Sequence, residues 1–330
     1  MGERIPLAIR GMGSALPDRV MTNDDFARIL DTSDEWIRTR TGIRERRFAD
    51  DHEDSLTLAT TAAKRAVDDA GLTPADIDLI VFATSTPAYP LPATACFLQH
   101  ALGCRHVPAF DIAAACAGFV YAFVAGAGLM QIGGYRHVLV VGSEKMSAIT
   151  DFQDRSTCVI LADGAGAAII GPPDNELSGL YEHMLGADGS GARLIMVPAG
   201  GSAMPATAKT VEDRRHYMKM RGREVYKFAV TKMQEILIET TRRAGLRVED
   251  LAYVVPHQSN LRIIESAAQK MGLPMDKIAV NIDRYGNTSA ASIPMALEEA
   301  WRAGKVKTGD WVLMAGFGAG LTWGSALIRL

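Results

Sequence analysis

Apolar residues along this chain follow two patterns. Runs without alternation, such as Leu79-Ile80-Val81-Phe82-Ala83 and Val138-Leu139-Val140-Val141, predict short strands covered on both faces. Helical spacing closed by glycine appears from Ser55 to Ala70 before Gly71, and from Val225 to Ala244 before Gly245; glycine is the usual residue just past a helix end. These elements recur. Ala70-Gly71-Leu72 is followed by the strand-like Asp76 to Val81, and Ala244-Gly245-Leu246 by Asp250 to Val255, 174 residues later. His137 to Gly142 and Trp311 to Gly316 form a second strand-like pair at the same offset of 174. Two pairs at one offset predict a duplicated unit, and hence two similar α/β halves packed together. The turn-rich Gly171-Pro172-Pro173-Asp174-Asn175 predicts the boundary, giving halves of residues 1–173 and 174–330. The Gly/Ala/Pro-rich stretch from Pro198 to Ala208 reads as a long surface loop.

One segment complicates this pattern. Ile112 through Tyr135 carries no charge and is about as long as a bilayer crossing requires. Ala and Gly dominate it rather than Leu and Ile, so a buried central helix, apolar all round because other layers cover it, is the better expectation. With 330 residues, 48% of them hydrophobic, the chain can bury a large core. A net charge of −3 without an arginine-rich arm or an aromatic-interleaved basic stripe argues against nucleic acid as a partner. The four cysteines, 96, 104, 116 and 158, form no Cys-x-x-Cys pair and no metal-like spacing with histidine. Reduced thiols, no metal site and a cytoplasmic setting are expected. The opening Met1-Gly2-Glu3-Arg4-Ile5-Pro6 has no signal-peptide apolar core, and Pro6 spoils a myristoylation match, so no membrane attachment is expected.

Candidate chemistry gathers at three element ends. Cys116, in Asp111-Ile112-Ala113-Ala114-Ala115-Cys116-Ala117-Gly118-Phe119, has small neighbours and opens the apolar helical stretch. Unpaired amides and the macrodipole at such a terminus favour thiolate. His257 follows the strand-like Leu251 to Val255 in Pro256-His257-Gln258 and precedes a helical pattern from Asn260 to Lys270. Asn287 lies in Tyr285-Gly286-Asn287-Thr288-Ser289, ahead of another. Polar side chains just beyond strand ends are where such sheets place their sites. The other six histidines and Cys96, Cys104 and Cys158 have no comparable surroundings. Gly316-Phe317-Gly318-Ala319-Gly320 lacks the Lys-Ser or Lys-Thr of a phosphate-binding loop.

Together these motifs, with Thr32 to Ile37, Thr39 to Arg46, Asp163-Gly164-Ala165-Gly166-Ala167 and Thr322-Trp323-Gly324-Ser325-Ala326, resemble the β-ketoacyl-acyl-carrier-protein synthase III family over nearly the whole chain. The resemblance implies the thiolase fold, two duplicated α/β halves in αβαβα layers. It implies a decarboxylative condensation of an acyl-CoA, acetyl-CoA above all, with malonyl-acyl carrier protein. Cys116 would carry the acyl group, while His257 and Asn287 would donate hydrogen bonds to the enolate oxygen. The Cys116 and Ala319 amides would hold a second oxyanion, and Phe317 would shield the intermediate. Coenzyme A would be part of a substrate and no cofactor would be needed. Trp36 and Arg155 match positions that sandwich the adenine of coenzyme A. Leu91 matches a residue that completes the acyl pocket of the partner subunit in a homodimer. Lys227, Arg262 and Lys270 match a basic patch that docks the acyl carrier protein.

This sequence departs from the family at three points. Ala319 stands where Gly is usual, Gln269 replaces a basic residue, and Leu91 takes the place of the Phe common in acetyl-selective relatives, which implies a deeper pocket. Several rivals share parts of the pattern. A degradative thiolase needs a second cysteine near the C-terminus, but the last here is Cys158. Elongating ketosynthases carry a second histidine where Asn287 stands. A specialised polyketide or secondary-metabolite condensing enzyme, plant-type enzymes included, uses the same three residues, and a papain-like hydrolase uses Cys, His and Asn in the same order.

Overall fold

A computed structural model describes residues 4–330. Two five-stranded mixed sheets form its frame. One contains, in spatial order, Ala8–Ala15, Asp163–Gly171, Val138–Lys145, Leu79–Ala83 and Ala109–Ile112. The other contains Ile5–Pro6, Gly179–Ala187, Thr322–Arg329, Trp311–Gly318 and Tyr253–Pro256. Ile5–Pro6 pairs with Gly179 and Leu180 of the second sheet, whereas the first-sheet strands run only from Ala8 to Gly171.

The unalternating strands are double-faced because each divides its side chains between two cores. Leu79, Val81, Val138 and Val140 face a central core, and Ile80, Phe82, Leu139 and Val141 an outer one. In the second sheet Val255, Val312 and Met314 face the centre, and Val254, Leu313 and Ala315 the opposite outer layer. Helix Ser55–Asp69 covers the first sheet, helices Gly222–Arg243 and Leu261–Met271 cover the second, and helices Gly118–Gly133 and Ser292–Arg302 lie between. The result is αβαβα layering. Full burial of a side chain such as Phe82 contributes roughly 1.5–3 kcal/mol.

The expected helix starts hold to within a turn. Asp54 caps Ser55–Asp69 by accepting from the Thr57 amide, and the second helix begins at Gly222 rather than Val225. Residues 198–207 form an exposed turn-and-loop segment ahead of helix Ala208–Glu212. The uncharged segment needs a correction. Phe119, Val120 and Phe123 are fully buried between the sheets, but the last helical turn emerges, leaving Ile132 82% exposed.

The duplication reaches the backbone angles. Cys116 sits in a single 3-10 turn, Ala115–Ala117, before helix Gly118–Gly133. Its counterpart 174 residues on is Ser289–Ala291, before Ser292–Arg302. Ala115 and Ser289 open these turns with φ of 47° and 50°, an uncommon region for residues with a side chain. The turns press against the sheets at glycine. A Cβ on Gly142 would lie 2.3 Å from the Ala290 carbonyl oxygen, and one on Gly318 2.6 Å from the Cys116 amide nitrogen.

Candidate active site

Three chain segments converge below the central turns. The His257 amide donates to the Ala315 carbonyl at 2.7 Å, which extends the parallel pairing by one residue beyond Pro256. Asn287 is held by its own backbone: its amide donates to Ile160 O and its carbonyl accepts from Ala162 N, each at 2.9 Å. Cys116, His257, Asn287, Phe317 and Ala319 all line one cavity of about 340 Å³. Much of its remaining wall is apolar, including Met146, Ile195, Met218 and Met220.

Burial sets the protonation states. His257 is 1% exposed, and burial pushes its imidazole down to about 3, so the ring is neutral. Its Nδ1 lies 2.7 Å from Ser292 Oγ, and its ring meets Phe317 edge-on at 5.7 Å. The side-chain oxygen of Asn287 accepts from the Ser289 amide at 2.9 Å, which leaves the amide nitrogen as the free donor. Cys116 keeps partial contact with the cavity but is otherwise enclosed. Burial pushes its thiol up to about 12; the Ser289 hydrogen bond opposes this and the Glu144 charge adds to it. The expected thiolate is therefore corrected: enclosure, with the neighbouring carboxyl, favours a resting thiol. Burial of both groups likewise disfavours a papain-like thiolate–imidazolium pair.

Ala319 does not adopt a positive φ, so replacing the usual glycine brings no backbone strain. Thr322 Oγ1 donates to both Ala114 O, at 3.0 Å, and Ala319 O, at 2.9 Å, tying this loop to the Cys116 turn. Trp36 and Arg155 are adjacent, the guanidinium 5.4 Å from the indole centroid, and Arg40 also lies over that ring at 4.7 Å. A base between indole and guanidinium needs about 7 Å, two contacts of ~3.5 Å, so Arg155 must swing aside to admit one. Leu91 is 86% exposed and does not line the cavity. Lys227, Arg262 and Lys270 are exposed on helices Gly222–Arg243 and Leu261–Met271 and form no ion pair among the described residues. No metal-ligating cluster occurs among them either.

Sequence reading missed Ser289, Ser292, Glu144 and Asp151. Ser289 and Ser292 lie within or beside the Gly-Asn-Thr-Ser string, and Glu144 ends an apolar strand, so each had a positional signal but no periodic one. Asp151 is 4% exposed. It accepts from Arg214 at 2.5 Å and pairs with Lys219 at 3.1 Å, and these contacts hold it well below the usual carboxylate range. Through them it pins the ribbon of Ile195–Met196 and Lys219–Met220, which forms one wall of the cavity.

Comparison with known proteins identifies the family. Residues 110–189 match the family model for 3-oxoacyl-[acyl-carrier-protein (ACP)] synthase III, and residues 241–330 match its C-terminal model. A β-ketoacyl-[acyl-carrier-protein] synthase III of Caldanaerobacter subterraneus is 49% identical, covering 100% of this chain and 99% of its own. The crystal structure of 3-oxoacyl-[acyl-carrier-protein] synthase III from Aquifex aeolicus superposes with a TM-score of 0.91 at 45% identity, over 98% of this chain and 100% of that one. The priming β-ketosynthase of the R1128 polyketide pathway superposes with a TM-score of 0.90 at 38% identity, over 100% and 98%. With family models, full-length relatives and fold in agreement, the chain belongs to the 3-oxoacyl-[acyl-carrier-protein] synthase III family.

Proposed function

We propose that this protein is an acyltransferase that joins a short acyl-CoA, acetyl-CoA above all, to malonyl-acyl carrier protein. It releases coenzyme A and carbon dioxide and yields the 3-oxoacyl-acyl carrier protein that begins fatty acid synthesis. The observation carrying this reading is one largely apolar cavity where a thiol, a neutral imidazole and an unshared carboxamide N–H converge. Cys116 attacks the thioester and keeps the acyl group. Malonyl-acyl carrier protein then loses carbon dioxide, and the enolate oxygen needs donors rather than a base. His257 Nε2 and the Asn287 amide are suited to this because neither carries a charge; one such donor is typically worth roughly 10²–10³ in rate. The resulting carbanion attacks the acyl-Cys116 carbonyl, with the Cys116 and Ala319 amides as donors to its oxygen and Phe317 excluding water. No metal or redox cofactor takes part.

Trp36 and Arg155 bind the adenine of coenzyme A once the guanidinium moves. Lys227, Arg262 and Lys270 receive the acidic carrier protein, and their lack of ion pairs among the described residues suits that task. A homodimer is proposed because Ala109–Ile112 ends its sheet without an outer partner among the described residues, a ready template for pairing, with Leu91 and Ile132 exposed. A cytoplasmic location fits the four free cysteines. Likeness to the R1128 priming enzyme supports a second reading, in which the same chemistry starts a specialised chain. Intact-mass spectra after incubation with acetyl-CoA decide the core assignment. The wild type gains one acetyl group and Cys116→Ala gains none; stoichiometric acetylation of that variant refutes it.

A further inference from the structure

Glu144 has no role in the steps above, yet a single serine hydroxyl links it to the nucleophile. It is 0% exposed and no Lys, Arg or His pairs with it among the described residues; neighbouring Lys145 donates instead to the Asp50 and Glu53 carbonyls. Its donors are neutral: Thr86 Oγ1 at 2.5 Å, the Ser85 amide at 3.0 Å, Thr84 Oγ1 at 3.3 Å, Ser289 Oγ at 3.0 Å and the Ala290 amide. A buried carboxylate without a cation is expensive, and burial accordingly pushes this carboxyl above its ordinary range. The carboxyl therefore holds a proton more readily than an exposed glutamate does.

The far side of Ser289 faces the nucleophile. The Cys116 thiol donates to Ser289 Oγ at 3.4 Å, and Ser289 Oγ donates onward to Glu144 Oε1. The internal duplication offers a comparison. Ala115, the counterpart of Ser289, adopts the same φ within 3° without a hydroxyl, so the backbone does not require one. The counterpart of Glu144 is Gly318, 174 residues on. Neither the hydroxyl nor the carboxyl is repeated at the counterpart positions.

We propose that Cys116, Ser289 and Glu144 form a proton relay, with Ser289 the catalytic group touching sulfur and Glu144 the site that stores the proton. During acylation the thiol proton passes to Ser289 Oγ as the serine's own hydroxyl proton passes to Glu144 Oε1. The sulfur electron pair forms the new C–S bond; the thioester C–S bond breaks and coenzyme A leaves as its thiolate, protonated by solvent. During condensation the acyl–Cys116 bond breaks, its electron pair returns to sulfur, and the stored proton travels back through Ser289. The relay explains how a thiol near 12 is activated without an imidazolium. It rests on the proposed role of Cys116 as the acylated residue.

Single-turnover acetylation of the full-length protein by acetyl-CoA, followed by rapid-quench intact mass in H₂O–D₂O mixtures, tests it. Ser289→Ala, whose backbone conformation Ala115 already shows to be compatible with alanine, and Glu144→Gln should each slow acylation by roughly 10² or more, the scale of positioned proton transfer. The double variant should be no slower than the worse single, because both interrupt one path. The wild type should show a bowed dependence of rate on deuterium fraction, from two protons in flight, and the variants should lose the bow. Acylation at the wild-type rate in either variant, additive losses, or a bow that persists in slowed variants overturns the relay and leaves the condensation reading standing. A wild type that never acetylates overturns the condensation reading itself, and the relay with it.

Discussion

Ser292 Oγ stands 2.7 Å from His257 Nδ1, and this contact determines which ring nitrogen carries the proton. The Gln258 amide donates weakly to the same oxygen at 3.4 Å, and Nδ1 is the acceptor within reach of the serine hydrogen. With the serine donating, the ring proton resides on Nε2, where the proposed function needs a donor to the enolate. Ser292→Ala removes one neutral hydrogen bond, worth about 1 kcal/mol. Malonyl decarboxylation should fall roughly five- to tenfold, with acyl-enzyme formation retained, and nitrogen NMR of the labelled ring should show Nδ1–H gaining population. A ring that stays wholly in the Nε2–H form rules this role out.

His257 also couples stability to pH. Its folded value is about 3 against an unfolded value of about 6.5, so between them the unfolded chain binds the extra proton. Stability from this group is complete above about 6.5 and is lost as pH falls toward 3. From pH 7 to pH 5 the wild type should lose up to about 2 kcal/mol more than His257→Gln. Urea unfolding of both proteins at the two pH values measures the difference, and equal losses contradict a buried neutral ring.

The Asp151 clamp predicts a gated wall. Asp151→Asn leaves Arg214 and Lys219 with a neutral partner in place of a nearly buried carboxylate, at a cost of about 1–3 kcal/mol. The segment between Ile195 and Met220 should then open more often. Trypsin should cut at Arg214 or Arg215 roughly tenfold faster or more, and the KM for acyl-CoA should rise more than kcat falls. Unchanged cleavage would mean that the ribbon is held by its apolar contacts alone.

Much of this arrangement could be read from the chain. The offset of 174 reappears in the paired turns that open at Ala115 and Ser289, because duplicated packing preserves backbone geometry along with hydrophobic pattern. The convergence of Cys116, His257 and Asn287 on one cavity was legible because each sits where an element ends and a polar residue interrupts apolar surroundings. Protonation states were not legible: the Cys116 thiol and the His257 ring are set by enclosure, which depends on contacts between distant segments. Glu144 and Ser292 were hidden for the same reason, since a polar residue at a strand end or helix start ordinarily reads as a cap. The ribbon at Ile195–Met196 and Lys219–Met220 has too few residues per strand to show periodicity.

Primer choice provides the last prediction. Leu91 is 86% exposed on its own chain and absent from its own cavity wall, so in the proposed homodimer its effect on the acyl pocket is exerted across the interface. Leucine is smaller than the phenylalanine that the family resemblance implies for acetyl-selective enzymes, and a methylene's worth of space in an apolar pocket contributes roughly 1–3 kcal/mol to discrimination. The wild type should therefore accept butyryl- and isobutyryl-CoA alongside acetyl-CoA, and Leu91→Phe should lower kcat/KM for the longer primers roughly tenfold or more relative to acetyl-CoA. Mixed dimers separate this from a change within one chain. When Leu91→Phe is paired with Cys116→Ala, the only working cysteine lies on the Leu91→Phe chain and its pocket is completed by the partner's leucine, so wild-type selectivity should return. When the double variant Leu91→Phe/Cys116→Ala is paired with wild type, the working pocket receives phenylalanine and should narrow. Selectivity that follows the chain carrying the working cysteine, rather than its partner, refutes a shared pocket.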